Sequence, residues 1–235
     1  MSGKDESEKH DQSYYEVVKS GSLADRAMMI ARKHIYQDFK YHCHLDISES
    51  ILDVGVSDVI QGSDNIVERL HPWPAQITAV GLGEGEDFRR AFPEVNYIKI
   101  KTGTKLPFRD KSFSIVTANA VLEHLGSRES QLHFIEELQR VGKRVFISVP
   151  NRFFLAEHHT AIPFLAWNDS TFRLGCKIFG KKSWADPNNL ILMSRASLRS
   201  LLPRSTKWIV GYTGIYFGPF SSNLFAYSIC DPDSP

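Results

Sequence analysis

The chain has 235 residues, a formal net charge of +1, 42% hydrophobic residues and 23% charged residues. This length suits one α/β domain with an insertion, and the composition is ordinary for a globular protein in water. A near-neutral charge gives no overall field that favours nucleic acid or an anionic membrane. The three cysteines are scattered, and the sequence has neither a signal-type apolar region at its start nor a run long enough to span a bilayer. We therefore expect a cytoplasmic, reducing setting.

Residues 1–12 are polar and lack a periodic apolar face, which predicts a disordered tail ahead of one domain spanning 13–235. Apolar positions at helical spacing predict N-terminal helices within residues 13–45, the second running from Ser22 to Tyr41. The run His42-Cys43-His44 has metal-binding residue types. Successive side chains point in different directions and no further ligand cluster lies nearby in the sequence. We therefore predict no metal site.

An apolar run at 51–54 contains Asp53 and ends at Gly55. This pattern predicts a buried parallel strand followed by a tight turn. In an open α/β sheet, ligands bind outside the carboxyl ends of such strands. Gly55 lets a ligand approach the backbone, and Asp53 places a carboxylate beside it. The turn is therefore the first candidate for a ligand site.

The segments that follow alternate between strand and helix patterns. Strands are predicted at 76–80, 97–101, 113–118 and 145–150, with helices near 63–70, 86–92 and 127–141. Ser63 or Asp64 is expected to cap the first of these helices. Five alternations indicate a doubly wound parallel sheet. After a helix at 194–202, residues 208–212 and 224–230 predict a closing antiparallel hairpin.

Residues 151–192 are predicted to form an insertion between the fifth and sixth strands. It carries seven aromatic residues, which suit either a cap over a substrate or the core of a small subdomain. They are Phe153, Phe154, Phe164, Trp167, Phe172, Phe179 and Trp184.

Three motifs together resemble those of class I S-adenosylmethionine-dependent methyltransferases. The stretch ILDVGVSD at 51–58 is similar to the first motif of that class, Asp-x-Gly-x-Gly-x-Gly, with Ser57 and Val59 in place of the later glycines. The stretch LPFRDKSFSIV at 106–116 resembles a signature of the small-molecule and glycan-associated subgroup, and VLEH at 121–124 is intact. The resemblance covers about 50 to 165. It implies a Rossmann-like, mostly parallel seven-stranded sheet with an antiparallel last strand, a helical N-terminal extension and an insertion after strand 5.

The resemblance also implies S-adenosylmethionine as the methyl donor and S-adenosylhomocysteine as the product. The donor is expected across the carboxyl ends of the first, second and fourth strands. Family members carry an acid after the second strand, where this chain has Gly81; either Glu84 replaces it, or backbone and water do. The residues expected to line the donor are Asp53, Gly55, Val56, Ser57, Gly81, Leu82, Glu84, Thr102, Gly103, Asn119, Ala120 and His124.

On the acceptor side, the stretch after the fifth strand resembles a family run "PNR…E-x-H" and supplies the catalytic candidates Glu157, His158 and His159. A histidine with a pKa near 6.5 suits a base that takes a proton from a hydroxyl. The alternative is that these residues hydrogen-bond the insertion to the sheet. His124 likewise either touches the substrate or orients its own loop. Neutral charge and an aromatic insertion favour a small organic or saccharide acceptor over nucleic acid.

Two other functions stay open from the sequence. A non-catalytic binding protein is suggested by the departures from the family pattern at Ser57, Gly81, Thr102 and Ser114. A nicotinamide-dependent oxidoreductase is the weaker alternative, because the sequence lacks G-x-G-x-x-G and an acid after the second strand. The oligomeric state is not indicated by the sequence.

Overall fold

A computed structural model describes residues 22–58, 60, 63–103, 105–155 and 165–229. It contains one seven-stranded sheet in the order β3-β2-β1-β4-β5-β7-β6. Only β7 runs antiparallel to its neighbours β5 and β6, which confirms the predicted Rossmann-like sheet. The strands are β1 (Ile51–Val54), β2 (Ile77–Gly81), β3 (Asn96–Lys99), β4 (Phe113–Asn119), β5 (Gly142–Pro150), β6 (Lys207–Thr213) and β7 (Asn223–Ile229).

Within the described residues, six α-helices flank the sheet or lie in the insertion. Large apolar clusters cover both faces of the sheet, as a doubly wound fold requires. The helices are α1 (Leu23–Cys43), α2 (Ile66–Leu70), α3 (Glu86–Ala91), α4 (Arg128–Val141), α5 (Asp169–Ile178) and α6 (Arg195–Leu201). None of the helices in these described ranges is long and apolar enough to cross a bilayer.

The N-terminal helix α1 begins after Ser22, whose side chain accepts a hydrogen bond from the backbone of Asp25, and ends at Cys43, two residues later than predicted. It docks on one face of the sheet, where Phe39 meets Phe146 edge to face at 5.4 Å between ring centroids. Its His34 Nδ1 lies 2.8 Å from the carbonyl of Gly214, in the loop between β6 and β7. The predicted tail and first helix lie outside the described residues.

The helix after the first turn differs from the prediction. It begins at Ile66, and neither Ser63 nor Asp64 caps it. Asn65 instead takes a left-handed conformation, and its side-chain amide bonds both the backbone N–H and the carbonyl of Ser57, at 2.9 and 2.8 Å. Asp64 pairs with Arg32 of α1 at 2.5 Å. These contacts fix the turn after β1, and they explain why the expected caps are not used.

The insertion has a small apolar core of its own, formed by Ala166, Phe172, Cys176, Trp184 and Leu190. Its base is closed by the backbone N–H of Arg152, which donates to the carbonyl of Met193 at 2.8 Å. Two of the seven aromatic residues, Phe172 and Trp184, therefore build a subdomain core, whereas others face solvent. Residues 156–164 lie outside the described ranges, and the domain boundaries given above stay predictions.

Candidate functional site

The carboxyl ends of the parallel strands bring the predicted site segments to one edge of the sheet. In the register, Val54 of β1 is level with Val80 of β2, Gly81 with Lys99 of β3, and Asn119 of β4 with Ser148 of β5. The segments that follow, at 55–58, 82–85, 100–103, 120–124 and 151–155, therefore leave from the same edge. Such an edge is where open α/β sheets bind ligands.

Gly55 makes the first turn possible. Its φ of 93° is a conformation that side-chain-bearing residues rarely adopt, and its N–H donates to the carbonyl of Val80 at 2.8 Å. A Cβ added at this position would lie 2.3 Å from Cγ2 of Val121. The first motif and the VLEH stretch are therefore in close contact, and only glycine fits between them. Val56 and Ser57, the next two residues, are buried.

Asp53 does not stand open to a ligand. Asp53, on β1, and Glu68, on α2, are both buried beneath the turn that follows β1. Burial and the nearby Glu68 charge raise the pKa of Asp53 well above its usual range, and burial raises the pKa of Glu68 to about 7. Two carboxyls held this close in an apolar environment favour a protonated state for the pair. The contribution of Asp53 to cofactor binding stays a prediction.

The raised pKa makes stability depend on pH. Because Glu68 has a higher pKa in the folded protein than in the unfolded chain, stability is lost as pH rises from about 4.5 to about 7. Glu68→Gln removes this ionisation. We expect the variant to exceed the wild type by about 1–3 kcal/mol in free energy of unfolding at pH 8, and to match it near pH 4.

Urea denaturation at both pH values measures the effect. Glu136→Gln, on the exposed face of α4, is the matched control and should change neither value by more than about 0.5 kcal/mol. A Glu68→Gln variant that is less stable than the wild type at pH 8 would contradict the assignment.

The end of β2 shows why the usual acid is absent. A Cβ at Gly81 would lie 2.8 Å from the Tyr97 hydroxyl and 2.9 Å from the carbonyl oxygen of Val56. The Tyr97 hydroxyl donates to the carbonyl of Gly83 at 2.8 Å, and a Cβ on Gly85 would lie 2.2 Å from the Tyr97 ring. A tyrosine on the neighbouring strand therefore fills the space that a longer side chain at position 81 would need. The sequence revealed the missing acid but not its cause.

Glu84 lies on this same loop with an exposed side chain that forms an ion pair with Lys99 of β3. The loop is fixed from the other side by Asp58, whose carboxylate accepts hydrogen bonds from the backbone of Gly85 at 2.8 Å and of Phe88 at 3.1 Å. These bonds also place a negative charge at the start of α3, where the helix dipole favours it. The role of Glu84 at the ribose stays a prediction. Leu82, between strand and loop, is exposed.

Beyond β3, Thr102 and Gly103 are exposed, and no atom lies within 4 Å of a Cβ built on Gly103. The LPF motif that follows is held from α4 by Arg140. This guanidinium donates to the carbonyls of Leu106 and Phe108 at 3.0 and 2.9 Å, and to Asp110 at 2.7 Å. The motif therefore has a structural role, which is to tie the loop after β3 to the body of the domain.

At the end of β4, the Asn119 side-chain oxygen accepts a hydrogen bond from the Ser148 hydroxyl at 2.9 Å, and Ala120 has a φ of 55°. His124 Nδ1 lies 2.9 Å from the carbonyl of Asn189, and the backbone N–H of Ile191 donates to the carbonyl of Glu123 at 2.8 Å. These contacts join the VLEH stretch to the insertion. They agree with the alternative in which His124 orients its own loop. A contact between His124 and the cofactor stays a prediction.

A group of partly exposed aromatic side chains stands at the same edge of the sheet, next to the end of β5. Trp167 stacks on Phe220 at 5.5 Å between centroids, meets Phe153 edge to face at 6.5 Å, and Phe220 lies 6.3 Å from Phe217. We call these four residues the aromatic platform. Phe217 and Phe220 come from the loop between β6 and β7 and were not among the predicted site residues. Two aromatics in a Gly-Pro turn between strands were the signal available in the sequence.

The catalytic candidates Glu157, His158 and His159 fall outside the described residues. They follow Leu155, which is itself exposed beside the end of β5. Across the parts of the chain that the structure describes, no three histidine, cysteine or acidic side chains are grouped so as to hold a metal ion.

Comparison with known proteins shows what this arrangement is similar to. Residues 52–145 match the family model of a methyltransferase domain. A structure of an S-adenosylmethionine-dependent methyltransferase from Thermotoga maritima, described as a possible histamine N-methyltransferase, aligns with a TM-score of 0.57 and 16% identity over 87% of this chain and 92% of that one. A comparison with curated protein sequences found no significant match.

Two further structures of S-adenosylmethionine-dependent methyltransferases show the same fold. One from Aquifex aeolicus aligns with a TM-score of 0.50 and 14% identity over 96% of this chain and 97% of that one. One from Methanosarcina mazei aligns with a TM-score of 0.53 and 13% identity over 80% of this chain and 95% of that one.

The sheet order, with β7 antiparallel, and the edge built from β1, β2 and β4 define the class I methyltransferase fold. Residues 52–145 are similar to a methyltransferase domain, and the similar structures described above are S-adenosylmethionine-dependent methyltransferases.

Proposed function

We propose that the protein transfers a methyl group from S-adenosylmethionine to a small organic or saccharide acceptor, at a hydroxyl. The observation that carries this proposal is the aromatic platform at the carboxyl edge of the sheet. We further place the protein in the cytoplasm, in glycan or natural-product biosynthesis.

The residues at the edge fit a nucleoside-bearing cofactor in two respects. Gly103 offers exposed backbone with open space around it, and the exposed Leu82 offers an apolar contact for a planar base. At the ribose, Glu84 is the nearest acid along the loop, and it must leave Lys99 to reach a bound ligand. Gly55 and Asn119, at the ends of β1 and β4, would hold the part that bears the sulfonium.

When bound, the cofactor supplies a methyl group already activated for displacement. The chain must mainly hold the acceptor in line with that group, and positioning of this kind contributes on the order of 7–11 kcal/mol. The platform suits this task because aromatic faces stack on sugar or aromatic rings. Trp167 is 41% exposed at this edge of the sheet.

A hydroxyl acceptor also needs its proton removed. We assign this to His159 or His158, with Glu157 orienting the base. The segment that carries them lies between Leu155 and Leu165, and Leu165 is two residues before Trp167. Both of its ends therefore lie next to the platform, which supports placing the base on the acceptor side.

The test is a methyl-transfer assay with isotope-labelled cofactor against a panel of sugars, phenols and amines. We expect turnover on a ring-bearing hydroxyl compound, and Trp167→Ala should raise KM for it about ten-fold with cofactor affinity unchanged, because a stacking contact of about 1–2 kcal/mol is lost. Tyr41→Ala, an exposed aromatic on α1, is the matched control. Turnover confined to amines would refute the hydroxyl assignment.

A further inference from the structure

The outward face of α5 is apolar where a helix in water should be polar. The helix packs into the insertion through Phe172, Gly175 and Cys176. On its other side Leu174 is 58% and Ile178 69% exposed, and Phe179, directly after the helix, is 63% exposed. Because Leu174 and Ile178 are four residues apart, they are neighbours on one side of the helix. We call Leu174, Ile178 and Phe179 the apolar face of α5.

Positive charge accompanies this apolar face. Arg173, Lys177 and Lys182 are exposed, and the sequence from 170 to 185 carries four basic residues and no acid. Asp169, at the start of the helix, is paired with Arg152 at 2.5 Å. The net charge of +1 for the whole chain therefore conceals a local excess of positive charge beside exposed apolar side chains.

We propose that the apolar face of α5 and the basic residues around it dock on an anionic lipid bilayer. A helix lying in the plane of a membrane surface places apolar residues among the acyl chains and basic residues among the head groups. Lysine and arginine suit the flanks because their aliphatic stems lie in the apolar layer while their charges reach the phosphates. In a bilayer with anionic lipids, the acyl chains match the apolar face of α5 and the anionic head groups match the basic residues around it.

The inference goes beyond methyl transfer and does not depend on which acceptor is used. It assigns the insertion a second task. Its core and the platform residue Trp167 face the domain, while the outer side of α5 faces the membrane. The enzyme would be peripheral, held by one short helix and its charges.

Vesicle co-sedimentation of the full chain tests the proposal. We use phosphatidylcholine vesicles with and without about 30 mol% phosphatidylglycerol, and expect at least about ten-fold tighter binding to the anionic vesicles. Lys177→Glu with Lys182→Glu should weaken binding about 25-fold, since each basic residue near the surface contributes about five-fold. Leu174→Ser with Ile178→Ser should weaken it about ten-fold or more.

Matched controls lie elsewhere on the surface. Arg204→Glu with Lys207→Glu changes two exposed charges at the amino edge of the sheet, and Ile47→Ser removes an apolar residue that is 64% exposed. We expect both to keep vesicle binding, and all variants to keep thermal stability and affinity for S-adenosylhomocysteine. Failure of the wild type to bind anionic vesicles overturns the proposal, and so does equal weakening by the controls. A wild-type dimer that Leu174→Ser and Ile178→Ser dissociate, without vesicle binding, assigns the face to a second copy of the chain instead.

Discussion

Gly55→Leu should lower the affinity for S-adenosylhomocysteine by more than about a hundred-fold, as measured by isothermal titration. Two effects act together at this position. The φ of 93° strains any side-chain-bearing residue, by about 1–3 kcal/mol, and a Cβ there would meet Val121 at 2.3 Å. A leucine must displace Val121 or extend toward the proposed ligand, and either change disturbs the turn on which the cofactor is expected to lie.

Two variants separate these effects. Gly180→Leu introduces the same residue at a φ of 74° with no atom within 4 Å, so it reproduces backbone strain without a clash near the turn, and it should bind the product normally. Gly55→Leu combined with Val121→Ala relieves the contact with Val121, and affinity should stay low because the φ of 93° still strains the turn. Unchanged affinity in the single variant would show that the cofactor does not lie over this turn.

Alanine at His159 or at His158 should reduce kcat by about a hundred-fold or more, with cofactor affinity and thermal stability retained. The reason is the loss of the base that takes the acceptor proton. The wild-type kcat should rise with pH as the base loses its proton, because only the neutral imidazole accepts a proton. Single-turnover measurements as a function of pH report the effect on the chemical step.

His133→Ala, on the exposed side of α4, is the matched control and should leave kcat and its pH profile unchanged. If Glu157 raises the pKa of the base, Glu157→Gln should lower the pH at which kcat reaches half of its maximum. If alanine at both histidines lowers stability, or leaves turnover normal, the two histidines are structural and the acceptor is positioned by other groups.

The strands were predictable because each strand is a short apolar run that ends in turn residues, and β1 with Gly55 is the clearest case. The capping of α2 was not predictable, since the partner of Asn65 is the backbone of Ser57 rather than its own helix. The burial of the Glu68 carboxyl was also not predictable from the sequence. An acid within a short helix normally faces water, and only the docking of α2 on β1 turns this one inward.

The candidate site was likewise predictable from the sequence only in part. Motifs located the edge of the sheet, because residues close in the sequence form each turn. They did not reveal what fills the space between turns. Val121 over Gly55 and the aromatics of the β6–β7 loop beside Trp167 depend on contacts between segments far apart in the chain, and no local pattern in the sequence encodes them.

Tyr97, on β3, restricts which residues can stand at position 81. The backbone of Gly81 is not in a left-handed conformation, so an aspartate there would be conformationally allowed. The space for its side chain is taken by the hydroxyl and ring of Tyr97 and by the carbonyl oxygen of Val56. The side chains at positions 81 and 97 therefore compete for the same space. An aspartate at position 81 therefore needs both a smaller residue at 97 and a shift of the Val56 carbonyl, and an aspartate that arose without them would clash with both groups.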